Sequence, residues 1–392
     1  MSKRFWLILA AIALIAAACG DSGDNGEAAS TTAAPAATTE APAATTEAPA
    51  ATTTEAPTTT SAEDAMKADW PEKIVFGFVP SQEQETLQDD IQPFIDVLEN
   101  ALGIKVEGIV TTDYTGLVTA MGTGQADLGA FGPFGFVLAT QQFDNIEPLI
   151  QSIRFGSATY HGQWMTNNPD ICTEPPVMGT ALENQNGQVV QVDALEAVAL
   201  QIGIKFGDNG KEFGDATDDG TEITPGYSCI GDLSQVAGKT VAFTSESSTS
   251  GYLFPSLQLL NLGIDPTSDI NPVFAGGHDS SVTAVYNGDA EIGLSFDDAR
   301  RTIRKTNPDV GEKNIVFWIT EEIPNDVVAV NADLPDSLKE AIFTAVSDYL
   351  DTDEGQEIFD SIYGWTGIRR AEPSDFDIVR EAAEKLGITE PL

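Results

Sequence analysis

Positive charge is scarce in this chain. Lys and Arg number 19 against 61 Asp and Glu in 392 residues, a formal net charge of -42. A phosphate backbone would be repelled, which argues against nucleic acid as a partner. The imbalance favours solubility and carries little information about fold. Cysteine and histidine are scarce too, at 3 and 2. Cys19 closes an N-terminal apolar run, so Cys172 and Cys229 remain as a pair with polar, turn-rich flanks. In an exported chain such a pair reads as a disulfide; the alternative is two buried thiols. The apolar run Phe5 to Ile15 is too short for a membrane span. A G-x-S-x-G stretch is missing, which argues against a hydrolase nucleophile elbow.

The N-terminus has the parts of a secretory signal. Lys3 and Arg4 give the positive end, Phe5 to Ile15 the apolar centre, and Ala16 to Ala18 the small residues before cleavage. A cysteine directly after them resembles a bacterial lipobox over residues 1–19, with Cys19 as the lipidated first residue. Ala16 stands where that pattern usually has a larger aliphatic residue. Residues 20–69 are Thr/Ala/Pro-rich, with "TTEAPAA" in tandem. Without large apolar side chains this stretch predicts a disordered tether, with a reach of roughly 40 Å. Anchor, tether and body are the layout of a protein held at the outer face of a cell membrane.

From Lys73 the pattern is that of a folded body. "KIVFGFV", "IKVEGIV", "ADLGAF" and "EPLIQSI" read as strands. Leu87, Ile91, Phe94, Ile95, Leu98 and Leu102 recur at helical spacing between the first two, and "YTGLVTAM" is a short helix. After a polar interval "KTVAF", "NPVFA", "AEIGLSF" and "NIVFWIT" alternate with the helices "GYLFPSLQLL", "SSVTAVYN" and "DDARRTIRK". "DVVAVNADLP" reads as a strand leaving this unit, and the rest is helical. The alternation predicts an α/β fold with mostly parallel sheets. Two lobes are expected, residues 70–165 with 330–392 and residues 166–329, the chain crossing near 164–167 and 327–331.

One repeat connects the halves. "VTAMGTGQADLG" (118–129) aligns without gaps with "VTAVYNGDAEIG" (282–293). At the same offset Tyr114 corresponds to His278 and Phe134 to Asp298. Convergence of short αβ units on Gly turns is the plain explanation. Two lobes of one design, facing each other across a cleft, is the other; ligands of open α/β sheets bind at the carboxyl ends of strands.

Ser247, Ser248, Thr249 and Ser250 follow the strand "KTVAF" and open a helix. The first N–H groups of a helix lack internal partners and carry its positive end. Hydroxyls beside them make an anion site without formal charge. A single hydroxyl would suffice for capping alone. "GGHDSS" repeats the arrangement with His278, as a cationic or neutral donor or as a surface loop residue. His161 reads as structural. Asp297 and Asp298 suit an oxyanion only if the ligand keeps a proton or carries an amine; otherwise an Asp here is a helix cap.

"VFGFVPSQ", "TTDYTGLVTAMGTGQADLGAFGP", "SSTSGYLFPSLQL", "GGHDSSVTAVYNGDAEIG", "FDDA", "LPDSLKEAI" and "YGWTG" occur in this order. Together they resemble the phosphate/phosphite/phosphonate-binding proteins of ABC transporters, over about residues 73–166 and 232–385. The resemblance implies a type II periplasmic-binding fold: two α/β lobes, a central cleft and two hinge crossings. It implies capture of a small phosphonate-type oxyanion for an ABC permease, with no catalysis and no cofactor. The ligand contacts it implies are Tyr114, Tyr160, Ser248, Thr249, Ser250, His278 and Asp298, with Asp297 as fallback for the last. A monomer is expected. The chain departs from the pattern by an insertion at about 167–231, bracketed by Cys172 and Cys229. The insertion holds a predicted helix, "DALEAVALQIGI", and an acidic run that does not fit EF-hand spacing, so no metal is expected. Two rival readings are a secreted hydrolase using Ser248, His278 and Asp298, and a binding component of a sensor.

Overall fold

A computed structural model of the chain describes residues 67–194, 204–206, 212–214 and 216–388. The signal segment, Cys19 and the tether through residue 66 lie outside them. So does most of the helix expected over 193–204, and part of the acidic run.

The first lobe is built on a six-stranded sheet. Its order is Gly367–Arg370, Ile146–Ile153, Val327–Asn331, Leu128–Phe131, Lys73–Phe78, Lys105–Val110. Lys73–Phe78 is parallel to both its neighbours. Val327–Asn331 is antiparallel to both of its own. The sheet is therefore mixed, where alternation predicted a mostly parallel one. The reason is connectivity: this strand arrives from the other lobe, with no helical crossover to force it parallel. The Gln84–Leu102 helix buries the predicted stripe from Leu87 to Leu102 against the sheet. Phe94 meets Phe76 and Phe359 edge-on at 5.9 and 4.9 Å between ring centres.

The second lobe has a seven-stranded sheet in the order Asn271–Phe274, Thr240–Phe243, Ile292–Phe296, Gly162–Thr166, Ile315–Ile319, Tyr227–Ser228, Val177–Met178. Between the sheets the two crossing segments pair with each other, Tyr160 opposite Ile323 and Thr159 opposite Pro324. The crossings thus fall near residues 157–161 and 320–326, not at the boundaries 165/166 and 329/330 that sequence suggested. Packing explains the shift. All five residues of Gly162–Thr166 are buried, and Trp164 donates its indole N–H to Gln258 at 2.8 Å. Such a strand belongs inside a sheet.

The repeat is a matched pair of helix–strand units, Tyr114–Gly122 with Leu128–Phe131 and His278–Asn287 with Ile292–Phe296. A Cβ at Gly293 would come within 2.6 Å of Val285, so the shared glycine lets helix and strand approach. "DDARRTIRK" does not form the expected helix beyond one short turn, Ala299–Thr302. Arg300 is fully buried and gives its hydrogen bonds to Asp298 and to the carbonyls of Tyr227, Gly311 and Asn314. Tertiary partners replace a helical face there.

Cys172 and Cys229 form a disulfide, with Cα atoms 5.7 Å apart and a sequence separation of 57. Within the insertion, Val177–Met178 and Tyr227–Ser228 extend the second sheet. Thr180–Gln185 and Gln188–Asp193 make a hairpin turning through Asn186 and Gly187, both at positive φ. Leu182 of this hairpin packs with Met165 and Val316.

Candidate ligand-binding cleft

The hydroxyl run opens with one wide turn. The Leu253 N–H donates to the Ser248 carbonyl, five residues back, at 3.0 Å, and the α-helix Phe254–Asn261 follows. Such π-turns recur at functional sites. Ser247, Ser248, Thr249 and Ser250 are all buried. Ser248 caps the turn, its Oγ accepting from the Gly251 N–H at 3.1 Å. Ser250 lies beside the Tyr160 phenol. Thr249 Oγ1 accepts from the Phe134 N–H at 2.9 Å, at the start of the first-lobe helix Pro133–Gln142. Capping therefore occupies one hydroxyl of four.

His278 and Tyr114 are the first residues of the two repeat helices, and both are buried. The His278 N–H donates to the Ser81 carbonyl across the cleft at 2.9 Å. Its ring Nδ1 lies 2.8 Å from Ser295 Oγ, and the ring meets Phe296 edge-on at 4.8 Å. Burial, with nearby Arg154, pushes the imidazole down to about 3. These surroundings favour the neutral imidazole of the two forms the sequence left open. Burial likewise lifts the Tyr114 phenol well above its ordinary value, and Tyr363, Asp326, Tyr160 and Asp279 add to the rise. These groups converge from both lobes. The hydroxyls of Tyr114 and Ser247 are buried with no hydrogen-bond partner among the described residues.

The two aspartates separate. Asp298 is wholly buried and spends both oxygens on Arg300, at 2.9 and 2.7 Å. The sequence assignment of Asp298 to the ligand is corrected on that ground: it anchors Arg300 inside the second lobe. Asp297, the fallback, faces the cleft cluster instead. Burial raises its pKa, against the pull of His161, Arg154 and Arg301. The hydrolase relay does not form either, since the Asp298 carboxylate serves Arg300 and His278 Nδ1 meets Ser295. His161 keeps a structural bond, Nδ1 to the Thr320 carbonyl at 3.0 Å.

Several cleft residues escaped sequence reasoning. Asp326 immediately precedes the Val327–Asn331 strand, and burial raises its pKa. Tyr363 is raised by burial too, beside Ser81. Asp279, next to His278, is raised for the same reason. Arg154 sits at the end of Ile146–Ile153, buried against the Tyr160 and Phe296 rings at 5.4 and 5.0 Å. A signal existed for Ser81 and Arg154: each directly follows an apolar strand run, where α/β ligands bind.

Residues 76–376 match the family model for the periplasmic substrate-binding protein of phosphonate ABC transporters. The phosphate-import protein PhnD of Mycolicibacterium smegmatis is 28% identical over 273 residues, 67% of either chain. The phosphonates-binding periplasmic protein of Escherichia coli is 19% identical over 308 residues, covering 79% of this chain and 75% of that one. Among solved structures, PhnD1 from Prochlorococcus marinus in complex with methylphosphonate superposes with a TM-score of 0.60 at 20% identity, over 81% of this chain and 99% of that one. The binding component of a Pseudomonas aeruginosa ABC phosphonate transporter gives 0.59 at 17% identity, over 81% and 87%. Both share the type II periplasmic-binding fold described above. The chain belongs to the family of periplasmic substrate-binding proteins of phosphonate ABC transporters.

Proposed function

We propose that the protein closes its two lobes around one phosphonate-, phosphite- or phosphate-type oxyanion and delivers it to the permease. The observation that carries this reading is the buried hydroxyl turn at Ser248–Ser250, bonded across the cleft to the Phe134 N–H. Beside it the Tyr114 and Ser247 hydroxyls lack partners among the described residues. Buried polar groups are normally satisfied, and an oxyanion supplies acceptors for both. Asp297 and Asp326, held toward the protonated form by burial, can donate to an anionic ligand instead of repelling it. Tyr114, Tyr160, Ser248, Thr249, Ser250 and His278 form the contact set, with Asp297 in place of Asp298. Calorimetric titration with phosphate, phosphite, methylphosphonate and 2-aminoethylphosphonate tests the reading, which falls if none binds.

Cys19 would carry the lipid that holds the monomer at the outer membrane face. Labelling with a palmitate analogue should mark the parent and spare Cys19→Ser. Equal labelling of both would remove the anchor from the account.

A further inference from the structure

Arg154 is 6% exposed and forms no ion pair among the described residues. Its guanidinium lies between the Tyr160 and Phe296 rings, and its Nε has no hydrogen-bond partner among the described residues. Arginine keeps its charge when buried, and a buried charge without a counter-ion is costly. Arg301 stacks on the same Phe296 ring at 5.1 Å, also without an ion pair among the described residues. Two buried cations on one ring, with Asp297 and Asp326 near them but in no direct ion pair among the described residues, are unexpected where acids outnumber bases threefold.

A cavity of about 80 Å³ opens on Arg154. On the same measure one water needs about 10–15 Å³, so there is room for a short substituent. Tyr160 lines this cavity while its phenol lies beside Ser250 of the hydroxyl turn, so the two spaces share a wall. Leu182 and Glu183 of the insertion's hairpin close the far side. The acceptor of Gln163, Oε1, is buried there without a partner among the described residues.

We propose that Arg154 is a specificity-determining ligand residue. Its guanidinium receives a second anionic group, a carboxylate on the alkyl substituent of a phosphonate whose phosphorus end lies in the Ser248–Ser250 turn. This rests on the reading given under Proposed function. An ammonium group in the same cavity would face Arg154 in a low dielectric, where like charges repel strongly. The acids that line the cavity are Asp297, Glu183 and Glu322, and Asp326, also held toward its neutral form by burial, interacts with Arg154 from beside it. Glu322 is exposed and Glu183 half-buried, so water solvates both. Asp297, held toward its neutral form, can donate to a carboxylate.

Calorimetry on the full chain with methylphosphonate, 2-aminoethylphosphonate and 3-phosphonopropionate tests this. The parent should bind the carboxylate ligand about 10-fold or more tighter than methylphosphonate, the range of one charge-assisted hydrogen bond. Arg154→Met should abolish that advantage and Arg154→Lys should retain part of it. Parent protein that binds the methyl or amino ligand as tightly as the carboxylate overturns the proposal alone. So does an undiminished carboxylate advantage in Arg154→Met. Failure of every phosphonate and of phosphate to bind overturns the oxyanion reading and this one with it. If Arg154→Met does not fold, the parent's order of affinities decides.

Discussion

Thr249 Oγ1 and the Phe134 backbone N–H are 2.9 Å apart, one on each lobe. The hydroxyl turn of the second lobe thus meets a helix start of the first. Both elements have unsatisfied N–H groups at their first turns, and anions bind at such ends. The bond ties lobe closure to the side chain that the resemblance assigns to the ligand.

Thr249→Ala should weaken binding of the best oxyanion by roughly 5- to 100-fold, the cost of a hydrogen bond to a charged partner. It should also loosen the closed form, because the Phe134 N–H loses its acceptor. Calorimetry gives the first effect, with circular dichroism as folding control. Small-angle scattering gives the second, as a radius of gyration that shrinks less with ligand than in the parent. Parent-like affinity in this variant would reduce the hydroxyl run to a cap.

How far the sequence revealed this site follows from periodicity. Repeated helix–strand units put Tyr114 and His278 at matching helix starts, and those are legible in spacing alone. The hydroxyl turn is legible because four polar residues interrupt an apolar pattern. Asp298 misled because "FDDA" shows two adjacent carboxylates. Only the tertiary position of Arg300, buried among three carbonyls, decides which one turns inward. Asp326 was invisible, and Arg154 was marked only by its place after a strand, because each is a single charge at a strand end. Their meaning lies in the Tyr160 and Phe296 rings, which come from distant sequence. The early hinge escaped because "HGQWMT" has no local signal of being a central strand.

The pH response of His278 has a defined sign. Its folded pKa is about 3 against an ordinary 6.5, lowered chiefly by burial and then by Arg154. The folded protein therefore binds fewer protons there than the unfolded chain. The stability this site contributes is complete above about 6.5 and is lost as pH falls toward 3. Melting temperatures between pH 7 and pH 4 should fall less steeply in His278→Gln than in the parent. Identical slopes would mean the imidazole titrates normally. Ligand affinity should show no step near 6.5 from this residue, since it stays neutral on both sides.

The disulfide closes an excursion of 57 residues. Loop-closure entropy puts its contribution at about 3 to 5 kcal/mol, less any strain. The Cys172→Ser, Cys229→Ser double variant should unfold at lower denaturant by that margin. Its oxyanion affinity should change little, because the hydroxyl turn lies outside the bracketed loop. Intact mass after alkylation, with and without reductant, verifies the bond in the parent. Two alkylated thiols in the unreduced protein would remove it.

Asp297 and Asp298 are neighbours with opposite surroundings, and their variants should separate stability from binding. Asp298 is paired in bidentate fashion with a fully buried arginine. Asp298→Asn leaves that guanidinium without its counter-ion, a loss of about 3 to 5 kcal/mol. Denaturant unfolding should show it directly, and any fall in affinity should follow from lost fold. Asp297 has no such partner and is held toward its neutral form by burial. An amide mimics a neutral carboxyl in shape, so Asp297→Asn should melt within about 1 kcal/mol of the parent. Its effect should appear in calorimetry instead, as a changed order of affinity among protonated, amino and carboxylate ligands. If Asp297→Asn destabilises as much as Asp298→Asn, the two carboxylates share a structural role and the cleft assignment of Asp297 is wrong. If Asp298→Asn is stable but fails to bind, the assignment drawn first from the sequence is restored.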